Sequence, residues 1–274
     1  MSFKVKFWGV RGSIATPSAR HINVGGNTSC VEVSCGGERI IFDAGTGIRS
    51  LGSCMMKREV QHARLLLSHT HWDHINGFPF FEPAFIETNT FQIMAGHVID
   101  DGGIKKVLGG QMMQPFFPVP LEAMKARLEF SDFRSGDQFK LMEGVFVRTA
   151  PLNHPNGATG YRVEYKGKAV CYVTDTEHLP GQPDQNVLGL IEGADLVIYD
   201  STYTDEEFKS EVGWGHSTWQ EGVRLCQAAN VKMLAIFHHE PDHEDDFLDR
   251  LEVAARNMWP GAVLARENMV IPLL

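Results

Sequence analysis

The segment SHTHWDHING at 68–77 constrains this chain more than any other feature. It places His69, His71, Asp73 and His74 within six residues, directly after RLLLS at 64–68. That short, continuously apolar run reads as a buried strand. Imidazole and carboxylate are the ligands preferred by zinc, iron and manganese. Alternate spacing on a tight loop lets His69 and His71 reach one ion while Asp73 and His74 reach a second. The competing reading is a solvated polar loop that happens to be rich in histidine.

The rest of the chain supplies strands that end the same way. Strand-like runs are read at 4–10, 29–35, 39–45, 90–96, 146–154, 159–165, 168–175, 194–200 and 231–239, and a last one spans 263–273. Helices are expected at 48–60, at 217–230 (Ser217 and Gln220 forming a capping-box pattern) and at 243–258. The stretch 108–120, rich in Gly and Pro, reads as a loop or insertion. Strand after strand ends in a residue able to bind metal or move a proton: Asp43, His69, His154, Asp175, Asp200 and His238. In layered α/β folds, ligands bind beyond the carboxyl ends of strands. Six such endings predict one shared site.

Composition narrows the function classes. The chain has 274 residues, 43% of them hydrophobic, which is enough for a sizeable core in one domain. No apolar run approaches the roughly 18 residues of a membrane span. The N-terminus alternates like a strand and lacks the pattern of a signal peptide, so a cytoplasmic protein with no membrane partner is expected. The five cysteines are scattered and without CxxC spacing, which argues against a disulfide framework or a cysteine zinc knuckle. A net charge of −9 with no Lys/Arg cluster disfavours a long nucleic acid. A small anion stays compatible, because a metal pair dominates its own pocket.

The segment at 69–74 has the H-x-H-x-D-H form of the metallo-β-lactamase superfamily, and the resemblance extends over nearly the whole chain. FDAGTG (42–47) resembles that family's early acidic-Gly turn, LNH (152–154) its third histidine, VTDT (173–176) its bridging aspartate and FHH (237–239) its last histidine. The resemblance implies an α/β fold of the αββα sandwich type, as a single domain over 1–274. It implies that His69, His71 and His154 hold a first metal, that Asp73, His74 and His238 hold a second, and that Asp175 bridges them. His238 and His239 compete for one role, since neighbouring strand residues face opposite ways. The family pattern puts the ligand directly after the apolar strand and favours His238. Asp43 is expected to accept the free ring N–H of a ligand histidine, and His243 to lie near the mouth or at a helix start.

Branch features narrow the resemblance further. Position 71 is His, where the oxygen-reducing diiron branch usually carries Glu, and no flavodoxin-like domain follows. There is no room for the insert of the RNA-processing β-CASP enzymes, and the basic, helical C-terminal half of glyoxalase II is missing. VIYDSTYTDEE (197–207) and GWGHST (213–218) resemble the acidic and HST motifs of ribonuclease Z and related phosphodiesterases. By that likeness Asp200 orients His216, which donates a proton to the leaving oxygen. The departure is Asp200 where ribonuclease Z carries Glu. GVRGS (9–13) and GGNTSC (25–30) resemble small hydrolases related to the phosphoribosyl cyclic phosphate and cyclic-nucleotide enzymes. Arg11 or Asn27 there either contacts substrate or shapes a turn.

The function expected is a phosphodiesterase with two divalent ions, zinc favoured and iron or manganese compatible. Its substrate is a small or cyclic phosphodiester, and Asp73, His216 and Asp200 are its catalytic residues. A lactonase or other acyl hydrolase is the alternative enzyme, and a non-hydrolytic diiron protein binding oxygen or a signal ligand is the alternative of another class. Loop 108–120 is a candidate to line the pocket or a homodimer interface.

Overall fold

The computed structural model describes residues 2–57 and 60–274. The first half lays down β1 (Phe3–Gly9), β2 (Cys30–Cys35), β3 (Glu38–Phe42), β4 (His62–Leu67), β5 (Thr90–Ala95) and β6 (Arg127–Asp132). The second half adds β7 (Gln138–Met142), β8 (Val145–Leu152), β9 (Ala158–Tyr165), β10 (Lys168–Val173), β11 (Leu196–Asp200), β12 (Leu234–Phe237) and β13 (Ala262–Leu264). The last strand, β14 (Val270–Pro272), returns to the first sheet. The sheets run β14-β1-β2-β3-β4-β5-β6 and β13-β12-β11-β10-β9-β8-β7. The helices are α1 (Gly47–Met55), α2 (Trp72–Ile75), α3 (Ile104–Gln111), α4 (Gln185–Ile191), α5 (Phe208–Glu211), α6 (Trp219–Ala228) and α7 (Asp245–Met258).

Each sheet is built alike. β1, β2 and β3 are antiparallel and feed the parallel series β3-β4-β5-β6. Likewise β8, β9 and β10 are antiparallel and feed the parallel series β10-β11-β12-β13. The strands alternate between two apolar faces, which explains their near-continuous hydrophobic runs. Phe42 and Leu66 face the other sheet, while their neighbours Ile41, Leu65 and Leu67 join the side chains of α1 on the outer face. The ring of Phe42 stacks on Tyr172 at 4.8 Å, and Phe7 meets Phe237 at 6.0 Å. These aromatic pairs tie β3 to β10 and β1 to β12, each buried ring contributing about 1.5–3 kcal/mol. On the far side, Val187, Leu190, Val223, Leu248 and Leu251 from α4, α6 and α7 complete the αββα layering.

The observed elements depart from the sequence reading at definite points. The strand read at 39–45 stops at Phe42, because Asp43 turns to φ 58°. The helix read at 48–60 ends at Met55; its positions 58–59 lie outside the described residues. α6 is capped by Thr218, whose Oγ1 accepts from the Glu221 N–H at 3.0 Å. Ser217 cannot cap, because its hydroxyl is engaged by His178 and Tyr199, and Gln220 instead accepts from the Asp205 N–H. The single strand read at 263–273 is two, split between the sheets by a left-handed turn at Asn268. Residues 108–111 belong to α3, so only the remainder of 108–120 lacks regular helix. β6, β7, α2, α3, α4 and α5 have no counterpart in the sequence reading. β6 and β7 lie at the sheet edges without one fully buried side chain, so their hydrophobic signal is weak. Among the described residues no helix is long and apolar enough to cross a membrane.

Candidate metal centre

The strands that deliver the site end on backbone bends. β3, β10 and β12 are followed by Asp43, Asp175 and His238, with φ of 58°, 56° and 62°. This left-handed region is uncommon outside glycine, and Asp and His are among the residues that tolerate it. The bend takes the chain out of the sheet, so these side chains gather beyond the strand ends, beside the turn that carries 69–74.

The seven candidate ligands form two sets around Asp175. His69, His71 and His154 are one set, and Asp73, His74, Asp175 and His238 the other; within each set the ligand atoms lie within 4.8 Å of one another. His154 Nε2 is 3.0 Å from His71 Nδ1. Oδ2 of Asp175 lies 3.6 Å from His69 Nε2 and 3.7 Å from His154 Nε2. Its Oδ1 lies 3.2 Å from both His74 Nε2 and His238 Nε2. Asp73 Oδ2 is 3.2 Å from His74 Nε2 and 3.4 Å from His238 Nε2. One carboxylate therefore faces both sets, one oxygen to each.

The opposite edges of the rings are held in place. His74 Nδ1 is 2.7 Å from Asp43 Oδ2, and Asp43 also accepts from the Ser68 N–H, the Ser68 hydroxyl and the Tyr172 hydroxyl. His154 Nδ1–H donates to the Gly215 carbonyl at 2.7 Å, and His238 Nδ1 is 3.0 Å from Thr202 Oγ1. Partners of this kind fix ring tautomers and orientations around a metal. Asp73 Oδ2 accepts from the Ser13 N–H at 2.8 Å. Gly12 lies against His238, where a Cβ would meet the ring at 2.4 Å.

The electrostatics suit cations. Burial, reinforced by His74 and partly opposed by Asp175, holds His69 well below the ordinary imidazole range. Burial also lowers His71 and His154, so neutral rings present lone pairs. His74 goes the other way: burial opposes charge, but Asp175, Asp73 and Asp43 raise it well above that range. Burial pushes Asp175 and Asp73 upward, yet the surrounding histidines overcome it and hold both carboxylates low. The buried Nε2 of His69 has no hydrogen-bond partner. A buried orphan nitrogen, a donor set of imidazoles and carboxylates, and a two-faced Asp175 fit a dinuclear metal site.

Beside this cluster stands a further pair. His216 Nδ1 lies 3.1 Å from Asp200 Oδ2, and its ring stacks on His238 at 5.0 Å. Burial disfavours a charged His216, but Asp200, then Asp175 and Asp73, outweigh it and raise the ring to about 9. His216 also lies within 4.8 Å of ligand atoms of His154 and Asp175.

The remaining candidates take definite places. His238 enters the cluster, while His239 turns away to the Ala265 carbonyl at 2.9 Å. His243 is buried just before α7, paired with Glu207 at 2.8 Å. Arg11 is not at the surface to meet substrate: it is fully buried, and it donates to the carbonyls of Gly25, Glu240 and His243. Asn27 is held by Glu267. Within GVRGS the sequence points to Arg11, whereas Gly12 and Ser13 are the residues that touch the cluster. Thr202 and Gly215 also escape sequence reasoning, although the motifs at 197–207 and 213–218 contain them. Cys30, Cys35, Cys171 and Cys226 are buried free thiols, and Cys54 is an exposed one.

A family model described as the beta-lactamase superfamily domain matches residues 38–239. A ribonuclease Z of Treponema pallidum is 23% identical over 86% of this chain and 89% of its own length. The metallo-beta-lactamase fold protein YhfI from Bacillus subtilis superposes with a TM-score of 0.73 at 17% identity, covering 98% of each chain. A diphosphatase from the PhnP family superposes with a TM-score of 0.72 at 16% identity, over 100% of this chain and 98% of its own. With a ribonuclease among the relatives, the expected exclusion of a long nucleic acid finds no support in these comparisons.

Proposed function

We propose, for a chain that belongs to the beta-lactamase superfamily, that it is a dinuclear metal-dependent hydrolase acting on small phosphodiesters. The observation that carries this reading is His216, fixed by Asp200 against the edge of the two ligand sets. His69, His71 and His154 would hold one ion, Asp73, His74 and His238 the other, and Asp175 both. The donor set suits zinc, and iron or manganese are compatible with it. Bound there, two such ions would supply an acidified water and offset charge on the reacting group.

The chain's own residues do the rest. Asp43, Gly215 and Thr202 hold ring nitrogens of His74, His154 and His238, and the Ser13 N–H holds Asp73. Asp200 receives the Nδ1–H of His216 and keeps that ring protonated near neutral pH. Protonated His216 gives its other proton to the departing alkoxide, as a general acid. The relatives named ribonuclease Z and diphosphatase favour reaction at phosphorus over reaction at an acyl carbon, and the ribonuclease favours a phosphodiester. The charge of −9 favours a small substrate over RNA. Buried free cysteines suit a reducing compartment such as the cytoplasm.

The test is a side-by-side kcat/KM comparison on one metal-loaded preparation, using bis(p-nitrophenyl) phosphate, cyclic nucleotides, a lactone, a thioester and pre-tRNA. Small phosphodiesters should turn over fastest. A faster lactone or thioester would make this an acyl hydrolase, and faster pre-tRNA would make it a ribonuclease. Inactivity throughout, with an oxygen-sensitive visible spectrum, would favour the diiron reading.

A further inference from the structure

The segments that carry the candidate metal ligands expose apolar side chains where an enzyme for an anion would be expected to expose basic ones. Trp72, Trp214 and Ile14 are 82%, 66% and 63% exposed. Each is joined in the chain to a residue of the site. Trp72 sits between His71 and Asp73, and Ile14 follows Ser13, whose N–H holds Asp73. Trp214 precedes Gly215, whose carbonyl holds His154, which in turn lies 3.0 Å from His71. Trp72 and Trp214 are thus two exposed indoles set next in the chain to residues on the His71–His154 side of the cluster. Such exposure is costly for an indole, which normally buries most of its surface.

Cations are scarce on the same segments. Across 9–16, 68–77, 152–158, 173–178, 200–218 and 238–244 the only Lys or Arg residues are Arg11 and Lys209. Arg11 is fully buried, and Lys209 is paired with Glu206. A substrate with several phosphates would need cations along its path. A substrate with one phosphodiester does not, since its single charge falls to the metal centre. What these segments expose instead is flat aromatic surface, which binds planar rings by stacking without hydrogen-bond readout.

We infer that Trp72 and Trp214 are specificity-determining residues that stack a planar aromatic group, a nucleobase or an aryl ring, carried by a substrate with a single phosphodiester. The inference rests on the phosphodiesterase reading for the phosphate but not for the ring. His216 and the ligand sets handle the reacting group, and the indoles select what is attached to it. The expectation is binding energy spent on the ring, with no contribution from a second phosphate.

The test measures binding to the metal-loaded protein by calorimetry, so it does not depend on turnover. The probes are three hydrolysis-resistant phosphorothioate diesters of equal charge: cyclic adenosine, phenyl methyl and cyclic ethylene glycol, the last having no aromatic ring. The parent should bind an aromatic probe roughly tenfold or more tighter than the one without. Preference for adenosine over phenyl identifies a nucleobase, and the reverse identifies an aryl group. Trp72→Ala and Trp214→Ala should each lose much of that preference while binding of the ethylene glycol probe stays, and Trp72→Phe should retain most of it. Metal content, measured alongside, separates loss of stacking from damage to the neighbouring ligands. Equal affinity for all three probes, or Ala variants that keep the preference, would overturn the inference. So would acrylamide shielding of both indoles in a ligand-free dimer, which would give that surface to a second copy of the chain. Hydrolysis of phosphodiesters without ring preference would defeat this inference alone, and ring preference without hydrolysis would defeat only the functional reading.

Discussion

Nδ1 of His216 lies 3.1 Å from Oδ2 of Asp200. Asp200 is fully buried, and its other hydrogen bonds come from the Thr176 N–H and from the N–H and hydroxyl of Thr202. The same Thr202 hydroxyl is 3.0 Å from His238 Nδ1. One short loop therefore fixes both the proposed proton donor and a proposed ligand, yet gives each its own contact.

That separation predicts distinct phenotypes. His216→Ala should keep two metals per chain and lose about 10²–10⁴ in turnover, the range for a general acid. The loss should shrink for p-nitrophenyl esters, whose leaving group needs little protonation. Metal analysis with kinetics on good and poor leaving groups checks both points. Loss of a metal from His216→Ala would instead make His216 a ligand.

Asp175 faces both ligand sets, so its removal should cost more metal than any other single change. Asp175→Ala should fall below one ion per chain, whereas His69→Ala and His238→Ala should each retain about one. Elemental analysis after dialysis against buffer without chelator reads this directly. Equal losses in all three variants would contradict a bridging role.

Gly12 tests the fit around His238 without replacing a candidate ligand. A Cβ at Gly12 would stand 2.4 Å from the Cε1 and Nδ1 of His238. Gly12→Ala should displace that ring and weaken metal binding on the Asp73–His74–His238 side selectively. Titration of the metal-free variant should show one tight and one weakened site. Two parental sites would show that the ring moves aside freely.

His178 supplies a stability prediction away from the ligands. Burial holds its ring below the ordinary imidazole range, with its Nδ1 2.8 Å from Ser217 Oγ and its face on Phe208. The unfolded chain therefore takes up a proton near pH ~6.5 while the folded protein does not. Stability is lost as pH falls below about 6.5, where the unfolded state binds more protons. His178→Gln should flatten the fall in midpoint temperature between pH 7 and pH 5 relative to the parent. Parallel curves would contradict this.

Much of the site was legible in the sequence. Candidate ligands sit at ends of apolar runs, and a dense run of His and Asp after such a strand concentrates potential metal-binding groups at one point of the fold. Asp43, His69, His154, Asp175, Asp200 and His238 lie where those runs stop, and the structure brings all six to one edge. The αββα layering came with the resemblance carried by those same motifs, and the two sheets bear it out. Edge strands β6 and β7 escaped notice, because side chains that are only partly buried leave a weak apolar pattern.

What periodicity cannot carry is the contact made by backbone or by empty space. The Gly215 carbonyl on His154, the Ser13 N–H on Asp73 and the room that Gly12 leaves for His238 depend on main chain or on a missing side chain. Arg11 has a side chain that suggests substrate, yet its guanidinium is buried and donates to three carbonyls inside the fold. The choice of His238 over His239 also needed three dimensions. Strand alternation says that the two diverge, but only the left-handed turn at His238 and the Ala265 carbonyl on His239 decide which one faces the cluster. Residue types and spacing thus determined which groups can bind metal, because that depends on covalent chemistry and local period. The tertiary structure decided which of them converge and what holds them, because that depends on distances between segments far apart in the chain.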